Sequence, residues 1–274
     1  MMRTFLTRQW LGALLAVVVA MCVCGLLGYW QYQRYVGKSE RAEVVSRNYT
    51  ANPVPVGEAL PGRDTALTER QVWQRVALRG HYCVSADCVL YVRNRPQDGE
   101  VGFYQLVPFV TQNGTMLVNR GFVPANARLS IPAREPAIPS GEITLTGRLR
   151  KIEPELPGRS NPPGQVQSIA PGEVAQSLPA NAQNLYTGAY LDMSAESSPA
   201  PNPPRPVPKP DTSLGPHLSY AFQWWIFALF FPGALIYAGR RNLQEQSTAP
   251  VAPRPKPRSQ RRRDEDEEDA ILDR

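Results

Sequence analysis

The chain has 274 residues, a formal net charge of +6 and 28 prolines, enough for one domain with appended segments. Its basic residues are scattered, without the stripe that a nucleic-acid surface needs, and the proline content argues against a mainly helical soluble domain. Mean hydropathy is slightly negative, yet two segments are strongly apolar, the pattern of membrane anchors on a polar domain.

Residues 1–9 read as a short cytoplasmic N-terminus. Trp10–Trp30, WLGALLAVVVAMCVCGLLGYW, carries no charge. At about 1.5 Å per residue it crosses the roughly 30 Å hydrocarbon layer. Trp10 and Trp30 mark its ends as interfacial aromatics do, with Arg8 and Arg34 just outside. The apolar run is too long for a signal-peptide core and no small-x-small site ends it. The prediction is therefore a retained transmembrane helix over 10–32, containing Cys22 and Cys24.

Residues 33–196 follow as an extracytoplasmic β domain with a turn-rich lead-in, NPVPVGEALPG. Alternating or apolar runs begin at Val72, after Cys88, at Gly102, at Thr115, at Glu142 and near Leu185, and TQNG supplies a hairpin turn. They predict a mainly antiparallel sheet, curled or closed into a small open barrel. Residues 153–184 look irregular, with a short helix in PGEVAQSL. Ser197–Asp211 holds seven prolines and predicts an extended, semi-stiff strap over 197–216.

A second transmembrane helix, 217–239, starts at the interface. Its apolar run, Tyr220–Gly239, is interrupted only by Pro232, which a membrane helix tolerates as a kink. The competing reading is a buried helix of a soluble protein. The tail, 240–274, is proline-rich and ends near RRRDEDEED, which predicts a disordered, solubilising cytoplasmic segment. Two spans place both termini on one side. Arg240, Arg241, Arg254, Lys256 and Arg258 put that side in the cytoplasm, whereas the charges around the first span are ambiguous. The expectation is a multi-pass plasma-membrane protein with its central domain outside the cytoplasm.

Signs of catalysis are missing: no nucleotide loop, GxSxG elbow or HExxH, and only two histidines, His81 and His217. The expectation is a non-enzyme. Cys83 and Cys88, in HYCVSADCVL, stand between two strand-like runs, where a hairpin brings them within disulfide reach in an oxidising compartment. With His81 and Asp87 they also write out a weak soft-metal pattern. Two Asn-Arg elements, Asn94-Arg95 and Asn119-Arg120, sit at strand ends. They cap turns and pair with acids, or they form an anion-binding or partner surface, since an arginine fork suits carboxylates.

GYWQYQRY, GHY, RNRPQDGEVGFYQLVPF, LVNRGFVP, TGRLR, and HLSYAFQWW with RR beyond it occur in this order from about Leu11 to Arg241. Together they resemble the surfeit locus protein 1 family, in its actinobacterial form. No single piece is specific; the order between two spans carries the likeness. The resemblance implies an assembly factor for haem-copper cytochrome c oxidase that assists delivery or insertion of haem a. It makes His217, before the second span, the candidate ligand of the haem iron. It also carries over Trp30, Gln31, Arg34, Gly121, Tyr220 and Trp224. Phe122 departs from the family, where tryptophan is common, and Cys83 and Cys88 lie outside its pattern.

The expected cofactor site is His217, Tyr220, Trp224, Trp30 and Arg34, the last toward a propionate. Residues 217, 220 or 221, and 224 share a helix face. The expected partner contacts are Gln31, Gln223, Asn94, Arg95, Asn119, Arg120 and Gly121. The two spans are expected to pack, with Gly25 and Gly28 giving close approach and Gln31 and Gln223 satisfying each other or a partner. The partners implied are the oxidase catalytic subunit or its assembly intermediates, haem a synthase as a further candidate, and membrane lipids. Two alternatives stand beside this: a structural accessory protein stabilising the oxidase or its supercomplex without cofactor, and a copper or thiol chaperone using the paired cysteines. For His217 alone, an interfacial histidine snorkelling beside Trp224 is the plain alternative.

Overall fold

The computed structural model describes residues 8–248, except 127, 129 and 183; the acidic tail and residues 1–7 lie outside the described residues. The chain divides into two compact units, Met1–Gln33 with Pro216–Arg274, and Arg34–Gly215.

The first unit holds the start of one long helix, which continues into the second unit beyond Gln33, and the whole of another. Helix α1, Arg8–Asn48, continues past the predicted end at 32, because no proline interrupts the chain before Pro53. Asn48 closes it, its side-chain amide donating to the carbonyls of Arg70 at 2.7 Å and Val72 at 2.8 Å. The segment 33–48, expected as part of a lead-in, is therefore helical. A short helix α2, Val56–Ala59, and a small α3, Pro171–Ala175, belong to the second unit. Helix α4, His217–Thr248, passes through Pro232 without a break and runs past 239, so 240–248, expected as part of a disordered tail, are helical, and the rest of that tail lies outside the described residues. Among the described residues α1 and α4 are the helices long and apolar enough to cross a membrane. Their apolar side chains point outward: Leu26 is 69% exposed and Leu229 72%. A soluble core helix would bury such residues, so a lipid-facing pair fits and the buried-helix alternative does not.

The helices touch at Gly28. A Cβ on Gly28 would stand 2.3 Å from Nε1 of Trp225, so only glycine admits this indole. Trp225 also packs against Tyr32, ring centroids 6.1 Å apart. Gly25 has open space around its Cβ direction and does not share this role.

The second unit contains eight strands: β1 Val54–Pro55, β2 Arg75–Tyr82, β3 Leu90–Gln97, β4 Glu100–Thr111, β5 Gly114–Pro124, β6 Ile143–Arg150, β7 Gln165–Val166 and β8 Tyr190–Glu196. The hydrogen-bonded order is β1-β2-β6-β8-β5-β4-β3-β7, and β2 also pairs with β4. That extra pairing closes β2, β6, β8, β5 and β4 into a small five-stranded barrel. Its interior holds Val76, Leu78, Val107, Phe109, Met116, Val118, Leu145 and Leu191, all at most 3% exposed. The alternation visible in the sequence at β2 and β6 is the inward and outward alternation of these strands. A second cluster beneath β3 joins Leu90, Leu106, Val166, Ile169 and Val174 to the disulfide loop.

Three strand boundaries differ from expectation. The first long strand begins at Arg75, not Val72, because a 3-10 turn at Glu69–Gln71 and a left-handed Trp73 (φ 67°) precede it. The last begins at Tyr190; Leu185 makes only an isolated bridge to Thr115. Strand β4 begins at Glu100, directly after the Asp98-Gly99 turn from β3. An Asp-Gly pair between alternating runs is a strong hairpin signal.

The proline strap is docked against the barrel. Phe122 and Arg205 exchange backbone hydrogen bonds of 2.7 and 2.9 Å, while Arg134 donates to the carbonyls of Asn202 at 2.6 Å and Pro203 at 2.8 Å. Gly121, with φ 137°, admits this contact; a Cβ there would lie 2.3 Å from the Arg205 carbonyl oxygen. Gly121, expected among the partner contacts, thus receives the chain's own strap.

Cys83 and Cys88 are disulfide-bonded, Cα atoms 5.7 Å apart. They do not close a two-stranded hairpin. Strand β2 pairs with β6 and β4, β3 pairs with β4 and β7, and β2 and β3 are not partners. The bond instead staples the loop between them, including the 3-10 turn Ala86–Cys88. Joint replacement by serine is expected to lower stability by about 2 kcal/mol, as suits so short a loop, and to leave function intact. Mass measurement after alkylation with and without reductant, followed by thermal melting, checks both parts.

Candidate functional site

Helix α4 begins at His217, where the Tyr220 amide donates to the Pro216 carbonyl at 3.0 Å. Proline is at home in the first turn because its missing N–H has no intrahelical partner there anyway. The His217 ring is half-buried, and its Nδ1 lies 2.9 Å from Oε1 of Gln31 on α1. An amide oxygen can only accept, so Nδ1 carries the proton. In the neutral ring with that tautomer, Nε2 holds an unshared pair, the state in which imidazole ligates a metal. Ala221, one turn on, is fully buried, whereas Tyr220 (46% exposed) and Trp30 (51% exposed) offer aromatic surface. Trp224 is half-buried and meets Phe227 edge-on at 6.0 Å. Arg34 is exposed on α1, three residues beyond Gln31.

Gln31 therefore pairs with His217. The alternative pairing with Gln223 is not made, and Gln223 is exposed. Sequence reasoning named both Gln31 and His217 but did not join them: they are 186 residues apart. Trp225, which fills the space over Gly28, was also missed as a contact residue.

The two Asn-Arg elements belong to the second unit. Both sit at register shifts, between Val92 and Arg95 on β3 and opposite Gln105/Leu106 on β5. A bulge re-aims the side chain that it displaces. Asn94 takes φ 56° there, which asparagine tolerates better than most residues. Arg95 turns to Glu153, Nη1 to Oε1 2.9 Å. Asn119 and Arg120 are each 1% exposed. Asn119 donates to Asp192 at 2.8 Å. Arg120 binds Glu196 with Nε at 3.0 Å, Gln105 Oε1 at 2.8 Å and the Ala137 carbonyl at 2.8 Å. Asn119 and Arg120, expected on a partner surface, are buried in an internal polar network.

Burial pushes the Asp192 carboxyl above its ordinary pKa, against the opposing pull of Arg150 and Asn119. Burial likewise raises Tyr82, whose ring lies under the Arg120 guanidinium at 5.2 Å. The acids that complete this network, Asp192, Glu196 and Glu153, are the residues that sequence reasoning missed. A signal existed in YLDM, where an acid stands inside an otherwise apolar strand run.

Glu173 shows the opposite shift. Partial burial pushes it up, but the Gln167 amide at 2.8 Å, the Ser168 hydroxyl at 2.8 Å and Asn161 at 2.7 Å outweigh that and hold it below its ordinary 4.5. A depressed folded-state pKa stabilises above the unfolded value, and that stability is lost as pH falls through the folded value. Glu173→Gln is expected to flatten the acid limb of melting temperature against pH below about pH 4.5. Parallel melts of the two proteins check it.

Among the described residues no group of three His, Cys, Asp or Glu side chains converges as a metal site. His81 with Cys83, Asp87 and Cys88 does not form one, and both sulfurs are committed to each other.

The SURF1 family model matches residues 18–229. An uncharacterised SURF1-like protein of Mycobacterium tuberculosis is 32% identical over 262 residues, which cover 91% of this chain and 93% of that relative. A SURF1-like protein of Rickettsia bellii is 23% identical over 216 residues, 77% of this chain and 84% of the relative. Surfeit locus protein 1 of Takifugu rubripes is 31% identical over 147 residues, 48% of this chain and 58% of the relative. The matched region runs from inside one apolar helix to inside the other and takes in the barrel, the strap, Gln31 and His217, so the chain belongs to the SURF1 family.

Proposed function

We propose that this protein is a membrane-bound assembly factor for haem-copper cytochrome c oxidase and that it holds haem a at His217, on the outer side of the membrane, before the cofactor enters the catalytic subunit. Family membership supports the oxidase role. The observation that carries the cofactor assignment is the 2.9 Å contact between His217 Nδ1 and Gln31. It fixes the tautomer and leaves Nε2 as the donor. The donor set fits a haem: one oriented imidazole, with the aromatic surfaces of Tyr220, Trp224 and Trp30 available to a macrocycle. Haem, if bound, would supply an iron centre able to accept a nitrogen lone pair. In this reading His217 binds the iron, Gln31 orients the ring, and Arg34 serves a propionate. The barrel stands outside the cytoplasm and presents its surface to the oxidase or its assembly intermediates. No bond-making chemistry is assigned to the chain.

The test is a spectrum of the full-length protein purified from cells that make haem a. The wild type is expected to retain a haem band, and His217→Ala to lose it at equal protein level. A band that survives in His217→Ala moves the ligand elsewhere. No band in the wild type, with oxidase assembly still dependent on the protein, favours an accessory that works without cofactor.

A further inference from the structure

On the outer face of the barrel, cations gather where charge alone would disperse them. Arg75 of β2 and Arg148 of β6 stand directly opposite in the ladder, so their side chains share one face, and like charges in that relation destabilise a sheet. Burial holds Arg148 below its ordinary pKa, and the Arg75 charge acts in the same direction. Arg148 lies over the Tyr49 ring at 3.7 Å, and the Lys209 ammonium of the strap is 5.3 Å from the same ring. Arg150 lies over Trp73 at 3.7 Å, and the Trp73 and Tyr49 rings are 5.9 Å apart. Arg75 gives one N–H to the Ala51 carbonyl and Arg148 one to that of Tyr49, both at 3.1 Å, so neither fork is filled. Arg150 pairs with the buried Asp192 at 2.9 Å. Among the described residues no carboxylate comes within ion-pair distance of Arg75, Arg148 or Lys209. The face is open to a partner: Lys209 is exposed, and Tyr49, Trp73, Arg75 and Arg148 are half-buried.

Trp73 supplies a second observation. Its φ of 67° is left-handed, an outlier for so bulky a residue, and strain of this kind gathers at binding sites. The Trp73 amide, donating to the Leu149 carbonyl at 2.9 Å, holds it there. The indole so placed also lines a cavity of about 400 Å³ within the second unit. Val44, Val45 and Val72 line it too, with charged side chains of both signs beside them.

We propose that this face docks an acidic segment of a partner protein, its carboxylates on Arg75, Arg148 and Lys209 and a neighbouring apolar side chain in the cavity beside Trp73. Arginine forks suit carboxylates, and arginine, tryptophan and tyrosine together are the residues that concentrate binding energy at protein interfaces. A small anion engages the cations but leaves the cavity unfilled. A lipid tail asks for a uniformly apolar wall, which the mixed charges deny. A protein segment satisfies both parts. The assignment rests neither on the haem site nor on the oxidase role.

The probe is the fluorescein-labelled peptide Gly-Asp-Glu-Phe-Asp-Glu-amide, titrated with full-length protein in nanodiscs of zwitterionic lipid and read by anisotropy. Its neutral counterpart, Gly-Asn-Gln-Phe-Asn-Gln-amide, is expected to bind at least about tenfold more weakly. Replacing the phenylalanine of the acidic peptide by serine is expected to weaken it about tenfold. Lys209→Gln, an exposed change, is expected to weaken the acidic peptide about threefold, and Arg148→Gln about tenfold. Arg79→Gln removes an exposed cation that pairs with Glu142 elsewhere on β2 and is expected to leave binding unchanged. Equal binding of the acidic and neutral peptides, or equal losses in Arg79→Gln and Lys209→Gln, overturns the proposal. Glycerol phosphate, the anionic lipid headgroup without its tails, or inorganic phosphate displacing the label as well as unlabelled peptide does overturns the assignment of a protein partner.

Discussion

Arg120→Met is expected to destabilise the barrel by about 3–5 kcal/mol, the range for breaking a buried ion pair by removing one partner. That is a large share of the total stability of a domain. The side chains of Arg120 and Glu196 are 0% and 2% exposed. Methionine fills part of the space but leaves the Glu196 carboxylate buried without its cation, and the Gln105 oxygen and Ala137 carbonyl without their donor. The double variant Arg120→Met with Glu196→Leu is expected to recover much of the loss, because a paired replacement by apolar groups is often near neutral. Denaturant unfolding of the detergent-solubilised protein, run as a double-mutant cycle, measures both. A single variant within 1 kcal/mol of wild type would remove Arg120 from the set of groups that hold the barrel together.

On the proposed function, Gln31→Leu is expected to weaken haem retention by about ten- to a hundredfold, the usual consequence of removing the hydrogen-bond partner of a metal-binding histidine. Leucine conserves size and suits the membrane interface, so the helix pair should survive. What changes is the imidazole: its Nδ1 proton loses the acceptor, the tautomer is no longer fixed, and Nε2 becomes a poorer donor. Gln31→Glu keeps an acceptor and strengthens it. That variant is expected to retain haem and to lower the midpoint potential, since a more basic imidazole favours the oxidised iron. Haem titration and redox titration of wild type and both variants check the pair. Unchanged affinity and potential in all three, with haem still lost in His217→Ala, would leave the ligand in place and remove Gln31 from the site.

The two long apolar helices were legible because the length and apolarity that lipid demands stand out whatever the rest of the chain does. Strand runs were legible where one face is buried, as along β2 and β6. The Asn-Arg elements were not. Whether Arg120 points outward or inward depends on a bulge, and the bulge exists only once β4 and β5 have paired. The strap was read as extended, but its docking was hidden, because it rests on the absence of a side chain at Gly121 more than eighty residues earlier. Gln31 and His217 were each visible as polar groups at the end of an apolar helix. Their union needed the two helices side by side, with Gly28 under Trp225 setting their approach.

Strand β8 has a consequence for biogenesis. It is the last strand of the barrel in sequence, yet it occupies the gap between β5 and β6, parallel to the first and antiparallel to the second. Until Glu196 has been synthesised, β5 and β6 each keep an open edge and the ring cannot close. A nascent chain in that state exposes unpaired strand edges, which invite association with other chains. Only the proline strap separates the end of β8 from the second apolar helix. Closure of the barrel and arrival of that helix are therefore nearly simultaneous events in the life of the chain, and a ribosome stalled before β8 leaves a tethered, sticky half-barrel.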